Sequence, residues 1–100
     1  MKKILIVEDD DAISTGLKYY LEGEDFNIVL ANTGAIALTE LNKNNDISLI
    51  LLDINLPDIG GFDLFKKIKE IRKVPIIFLT ANDLEVYCKR SWYGSRRLYN

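Results

Sequence analysis

The chain alternates short apolar runs with amphipathic segments, and this alternation constrains the fold more than any other feature. The apolar runs are KILIV, FNIVLA, ISLILLD and VPIIFLT, at residues 3–7, 26–31, 47–53 and 74–80. All but the second are nearly continuous in Ile, Leu and Val, which is typical of strands covered on both faces of a parallel sheet. The order β-α-β-α-β-α-β therefore predicts right-handed crossovers and an α/β, doubly wound parallel sheet.

Each amphipathic segment has an apolar stripe at helical spacing. The stripes are Ile13, Leu17, Tyr20 and Leu21 in the first segment, Ala35, Leu38 and Leu41 in the second, and Leu64, Phe65, Ile68 and Ile71 in the third. Asp11 is the predicted N-cap of the first helix, and glycines mark the turns before the other two. Each predicted helix thus lies between two predicted strands.

Length and composition set the outer limits. The 100 residues suffice for one domain, and 13 Lys and Arg against 15 Asp and Glu argue against a general affinity for polyanions. Cys88 is the single cysteine and can form no internal disulfide, and the apolar run at the start is too short for a signal peptide. No segment approaches the roughly 20 apolar residues that a spanning helix needs. We expect a cytoplasmic protein without a membrane segment.

Acidic residues follow two of the predicted strands at the point where each strand ends. Glu8, Asp9 and Asp10 come directly after the first strand, and Asp53 closes the third. The carboxyl ends of parallel strands share one edge of the sheet, so these side chains converge if the two strands are neighbours. Crowded carboxylates repel each other unless a cation relieves them, and oxygen ligands suit Mg²⁺, which also bridges to phosphate. The pattern predicts a Mg²⁺ site that accepts a phosphoryl group.

Each of these residues also has a purely structural interpretation. The EDDD stretch can be the negative first turn of a helix, and Asp53 can be a solvated strand terminus. Thr80 ends the fourth strand, where its hydroxyl can donate to a phosphoryl oxygen or cap a turn. The loop containing Pro57 can bring a backbone carbonyl to the metal or can be a simple turn.

Three motifs, ILIVEDD, LILLDINLPDIGGFDL and PIIFLTA, resemble the receiver domain of two-component response regulators. The resemblance implies a flavodoxin-like fold and a phosphorylation-dependent signalling switch rather than an enzyme. By this resemblance Asp53 accepts a phosphoryl group from a sensor histidine kinase, and Thr80 is the switch hydroxyl. Glu8 and Asp9 match the family's acidic pair, and Mg²⁺ is expected at Glu8, Asp9, Asp53 and the backbone carbonyl of Asn55.

The resemblance covers residues 1–83, which we expect to form a partial receiver domain. The family's fourth helix, its fifth strand with a lysine that pairs with the phosphoryl group, and its fifth helix are not recognisable in residues 84–100. The fold is therefore expected to be incomplete, with the fourth strand as an exposed edge through which the chain self-associates. A DNA-binding output domain is also absent from this sequence, so contact with nucleic acid is expected only through such a domain.

The segment 84–100 is basic and aromatic and has no structural period. Its interleaved charges and rings can be interpreted as a nucleic-acid patch. The favoured interpretation is a reading frame displaced between about Leu84 and Tyr87. Suitable codons for YCKRSWYGSRRLYN, read one nucleotide further on, give IVKGLGMGAEDYIT, which resembles the continuation of the family.

Two other functional interpretations remain open at this point. A Mg²⁺-dependent phosphohydrolase of the haloacid dehalogenase type also places a nucleophilic aspartate after a parallel strand. That family has a second aspartate two residues later, where this chain has Asn55. A defective remnant of a receiver domain that folds poorly is compatible with the main interpretation, because family origin and competence are separate properties.

Overall fold

The computed structural model describes residues 2–79 and the backbone of two further strands, residues 84–87 and 96–97. The elements are β1 (Lys3–Val7), α1 (Asp11–Glu22), β2 (Asn27–Ala31), α2 (Gly34–Lys43), β3 (Ile47–Asp53), α3 (Gly61–Ile71), β4 (Ile76–Leu79), β5 (Leu84–Tyr87) and β6 (Arg96–Arg97). The strands and helices predicted within residues 3–79 are all present, with shifts of one or two residues at some ends.

The strands form one sheet in the order β2-β1-β3-β4-β5-β6. The first four are parallel, with β1 between β2 and β3. The chain leaves β1 toward β2 and then crosses to β3 on the other side, so the strand order reverses at β1. A crevice forms at such a reversal, outside the carboxyl ends of the strands. The predicted doubly wound parallel sheet is confirmed for these four strands.

The sheet is covered by helices on both faces because alternate residues of a strand point to opposite sides. In β1, Leu5 and Val7 belong to the larger core, which contains residues of α2 and α3. Ile4 and Ile6 belong to a second cluster, against which Leu17 and Leu21 of α1 pack. This two-sided burial explains why the run KILIV is continuously apolar.

The prediction that β4 is an exposed edge is wrong. β5 pairs with β4 in antiparallel orientation along all four of its residues. Ile76 and Phe78 are fully buried, whereas Ile77 and Leu79 are partly exposed. The physical reason is that strand pairing uses backbone groups, and the sequence LEVY of β5 includes Val and Tyr, which favour strands. Self-association through the edge of β4 therefore has no basis in this structure.

The helices among the described residues are short, the longest being α1 with 12 residues. None of them combines the length and the apolar character that crossing a bilayer requires.

Candidate metal centre

Glu8, Asp9 and Asp53 meet at the carboxyl ends of β1 and β3. The two strands are paired so that Val7 lies opposite Leu52, which places the residues that follow them side by side. One carboxylate oxygen from each of the three acids lies within 4.8 Å of the others. The structure therefore brings together the three acids that the sequence predicted to converge.

The residues of the acidic stretch EDDD have two different structural roles. The Asp10 side chain accepts hydrogen bonds from the N–H groups of Ala12 (2.9 Å) and Ile13 (3.2 Å). Asp10 is thus the N-cap of α1, and the prediction of Asp11 as the cap is wrong by one residue; Asp11 lies in the first turn. The helix-start interpretation holds for Asp10 and Asp11, while Glu8 and Asp9 join Asp53.

Glu8 is the buried member of the three acids, and its pKa is raised. Only 6% of its surface is exposed. This burial raises its pKa to about 7, with further increases from the neighbouring Asp53 and Asp9, while a hydrogen bond donated by the Asp10 N–H (3.2 Å) opposes the shift. A cation among the three carboxylates would offset both the desolvation and the repulsion. An oxygen-only set of this kind fits Mg²⁺.

The loop that follows Asp53 is closed at its base. The Gly61 N–H donates to the Ile54 carbonyl (2.8 Å), and Asn55 and Gly60 form an antiparallel bridge. A side chain at position 61 would come within 2.6 Å of the Ile54 Cα, so this closure requires glycine. Asp53 Oδ1 accepts a hydrogen bond from the Asn55 N–H at 3.2 Å. The turn after Asp53 thus keeps Asn55 beside the acids.

The acids at the ends of β1 and β3, together with Asn55, line a cleft of about 550 Å³. Its polar side consists of Asn55 and the acids, and its apolar wall consists of Ile13, Leu17 and Leu79. Asp53 is partly exposed in it, so its carboxylate is accessible from solvent. Thr80, the predicted switch hydroxyl, lies outside the described residues, and its role stays a prediction.

The apolar wall of this cleft is not predicted by the sequence pattern. Ile13 belongs to the apolar stripe expected to pack on the sheet, yet 49% of its surface is exposed. Its position one turn after Asp9 was a usable signal, since a helix that starts at a site presents its first turn to that site.

Comparison with known proteins matches the chain to one family model and to curated transcriptional regulatory proteins. A sequence model of the response regulator receiver domain matches residues 4–92, beyond the boundary at residue 83 that the sequence predicted. Transcriptional regulatory protein CpxR of Escherichia coli is 40% identical over 86 residues, which cover 86% of this chain and 36% of CpxR. Transcriptional regulatory protein SrrA of Staphylococcus aureus is 45% identical over 83 residues, which cover 83% of this chain and 34% of SrrA. The chain spans about a third of the length of these curated relatives.

Solved structures show the same likeness. A chain in the crystal structure of histidine kinase ThkA in complex with response regulator protein TrrA matches with a TM-score of 0.75 and 38% identity. The match covers 81% of the present chain and 70% of that chain. The likeness therefore extends from the sequence motifs to the arrangement of the strands and helices.

Proposed function

Because the chain belongs to the response regulator receiver domain family, we propose that it accepts a phosphoryl group on Asp53 in a two-component phosphorelay. The observation that carries this proposal is the convergence of Glu8, Asp9 and Asp53 within 4.8 Å at the point where the strand order reverses. Asp53 is the proposed acceptor because it is the acid that ends the central strand β3, and it is partly open to the cleft, whereas Glu8 is buried.

The side chains of Glu8, Asp9 and Asp53, together with the backbone carbonyl of Asn55, are the proposed ligands of Mg²⁺. When bound, Mg²⁺ supplies positive charge that offsets the repulsion between the carboxylates and an incoming phosphoryl group. Glu8 and Asp9 would hold the ion beside the acceptor, and the closed turn after Asp53 restricts the acceptor's position. Phosphoryl transfer depends mainly on such positioning and electrostatics.

In the transfer step an Asp53 carboxylate oxygen forms a bond to phosphorus as the bond from phosphorus to the donor atom breaks. With a phosphohistidine donor the broken bond is P–N, and the released imidazole takes up a proton. The product is an acyl phosphate, a labile covalent state suited to signalling. A sensor histidine kinase is the proposed donor, and Thr80 is the proposed hydroxyl that responds to the phosphoryl group.

The proposal is tested by exposing the full chain to a small phosphodonor with Mg²⁺. Intact mass spectrometry should show the addition of one phosphoryl group, and peptide mapping should place it on Asp53. Asp53→Asn should lose the modification, while Asp63→Asn, which changes an exposed acid on α3, should keep it. Undiminished modification of Asp53→Asn would show that the acceptor is wrongly assigned, and continuous release of phosphate without a modified protein would favour the phosphohydrolase.

We also propose that the reading frame is displaced between about Leu84 and Tyr87, so that a partial receiver domain is followed by a segment that the family model matches only as far as residue 92. The support is the loss of the alternating pattern after Asp83 and the resemblance of the displaced frame to the family's continuation. Resequencing the DNA around the codons for residues 84–88 tests this, and a clean in-frame result would overturn it.

A further inference from the structure

The loop that connects β3 to α3, residues 54–60, is called the acceptor loop below. Its Asp58 reaches the amino end of α2, which is 23 and 24 residues away in the sequence. Asp58 Oδ1 accepts a hydrogen bond from the Gly34 N–H (2.9 Å), and Oδ2 accepts one from the Ala35 N–H (3.0 Å). The first N–H groups of a helix have no partner inside the helix, so this carboxylate satisfies two of them.

The same helix has a second cap of its own. Thr33 Oγ1 accepts a hydrogen bond from the Ile36 N–H at 3.1 Å. Thr33 immediately precedes α2 and acts locally, whereas Asp58 comes from a different loop. The amino end of α2 is therefore held by one local residue and by one residue of the acceptor loop.

Packing reinforces this contact. Gly34 is buried, and a Cβ atom at this position would collide with Cγ2 of Ile59 and approach Asp58 Oδ1 to 3.4 Å. Ile59 in turn packs against the larger core. Only a glycine at position 34 allows the acceptor loop to approach α2 this closely. The tip of the loop is thus fixed by two charge-assisted hydrogen bonds and by close packing.

The base of the acceptor loop is closed by the Gly61-to-Ile54 hydrogen bond and the Asn55–Gly60 bridge. Asn55 is itself part of this base, three residues before Asp58, and it lines the cleft of the three acids. The hydrogen bond from Gly34, followed by that from Ala35, also lowers the pKa of Asp58, so the carboxylate is ionised at neutral pH. The contact therefore persists under the conditions in which the site would operate.

From these contacts we infer that Asp58 is a positioning residue, which anchors the acceptor loop on α2 and thereby holds Asn55 in place beside Asp53. Asp58 does not touch the reacting atoms and acts only through the loop. The part of the inference that concerns Mg²⁺ rests on the proposed function, in which the Asn55 carbonyl is a ligand. The part that concerns the order of the loop does not depend on the proposed function.

Three variants of the full chain separate positioning from simple helix stability. Asp58→Ala removes the contact between the loop and α2. Thr33→Ala removes the local cap of the same helix and leaves the loop contact intact. Asp58→Asn keeps one side-chain oxygen as an acceptor and should restore part of the contact. If Asp58→Ala does not fold, Asp58→Asn carries the comparison with Thr33→Ala.

The first readout is amide hydrogen exchange by NMR without metal. Asp58→Ala should accelerate exchange at Asn55 and Gly61, whereas Thr33→Ala should accelerate exchange only in the first turn of α2. Unchanged exchange at Asn55 and Gly61 in the Asp58 variants, or equal acceleration in Thr33→Ala, would overturn the inference.

The second readout is Mg²⁺ affinity from amide chemical shifts. Loss of a group that orients a metal ligand typically weakens affinity by about tenfold or more, which is the change expected for Asp58→Ala. Thr33→Ala should bind as the unmodified chain does, and Asp58→Asn should be intermediate. Equal weakening in Thr33→Ala would overturn the role in metal binding. If the unmodified chain does not bind Mg²⁺ at all, the metal centre is wrong, and the exchange experiment alone decides whether Asp58 positions the loop.

Discussion

Glu8 combines near-complete burial with two acidic neighbours, and its ionisation therefore opposes folding. Its pKa of about 7 in the folded chain exceeds the ordinary value of 4.5, so the folded state binds the proton more tightly than the unfolded state does. The destabilisation by the ionised carboxylate is absent below the unfolded pKa and complete above the folded pKa. Between those values, the contribution of Glu8 to stability falls as the pH rises.

Replacement of Glu8 by the neutral Gln should therefore stabilise the metal-free chain at alkaline pH. Gln keeps an oxygen that can accept the hydrogen bond from the Asp10 N–H. In urea unfolding at about pH 8, we expect the free energy of unfolding of Glu8→Gln to exceed that of the unmodified chain by up to about 3 kcal/mol. At about pH 4 the difference should vanish, because both side chains are then neutral. A difference that does not depend on pH would contradict the assigned pKa, and Mg²⁺ binding should weaken in the variant.

Because Asp10 caps α1 and Asp11 only lies in its first turn, we expect substitutions of these two neighbours to have unequal effects on stability. Asp10→Ala removes the cap of α1 and should lower the free energy of unfolding by about 1 kcal/mol. Asp11→Ala removes only a favourable charge in the first turn and should cost about 0.3 to 1 kcal/mol at low salt and less at high salt. Urea unfolding of both variants at two salt concentrations checks this. If Asp11→Ala lowered the free energy of unfolding more than Asp10→Ala does at high salt, the assignment of Asp10 as the cap would be contradicted.

At the scale of the elements, the helical stripes predicted the buried face of α3 better than that of α1. Leu64, Phe65 and Ile68 are buried as expected, and only Ile71 of that stripe is largely exposed. In the first stripe, Leu17 and Leu21 pack on the sheet, whereas Ile13 and Tyr20 are 49% and 66% exposed. Helical period indicates which face is apolar, but the extent of burial depends on what covers that face. α3 packs on the larger core, and α1 packs on a cluster that has only three buried members within residues 2–79.

The packing of α3 can be tested with two isoleucines of the same helix. Ile68 is fully buried, and Ile71 is 42% exposed. Ile68→Ala should lower the free energy of unfolding by about 2 to 5 kcal/mol, because it removes transfer free energy and leaves a cavity. Ile71→Ala should have a much smaller effect, since its surroundings include water. Similar losses for the two variants in urea unfolding would contradict the described orientation of α3.

At the scale of the whole molecule, the sequence predicted what depends on local pattern and general sheet rules. The four parallel strands and the convergence of Glu8, Asp9 and Asp53 follow from apolar runs, helix period and the shared edge of parallel strands. The pairing of β5 with β4 was missed because it uses backbone groups that every residue carries. The contact of Asp58 with α2 was also missed, since no local pattern relates a loop residue to a helix 24 positions earlier.

The pairing of β4 with β5 predicts the behaviour of a shortened chain. Removal of residues 84–100 would leave the backbone groups along one side of β4 without their strand partner. Unpaired strand edges promote association, so the shortened chain should sediment as a mixture of larger species, while the full chain should associate less. Equal sedimentation of the two at the same concentration would contradict the pairing. A chain continued in the displaced frame through the family's lysine strand and final helix should be the most stable of the three.

A Mg²⁺ titration of the isotope-labelled full chain tests whether the carboxyl ends of β1 and β3 form one metal-dependent phosphoacceptor site. We expect weak, saturable shifts of the amide resonances of Asp9, Asp53 and Asn55. The amide of Asp25, which lies just before β2 at the opposite end of the sheet, should not move. Asp53→Asn should reduce the response at Asp9, because one ligand of the shared ion is changed. A folded chain in which Asp9 and Asp53 show no Mg²⁺-dependent shifts would contradict the claim.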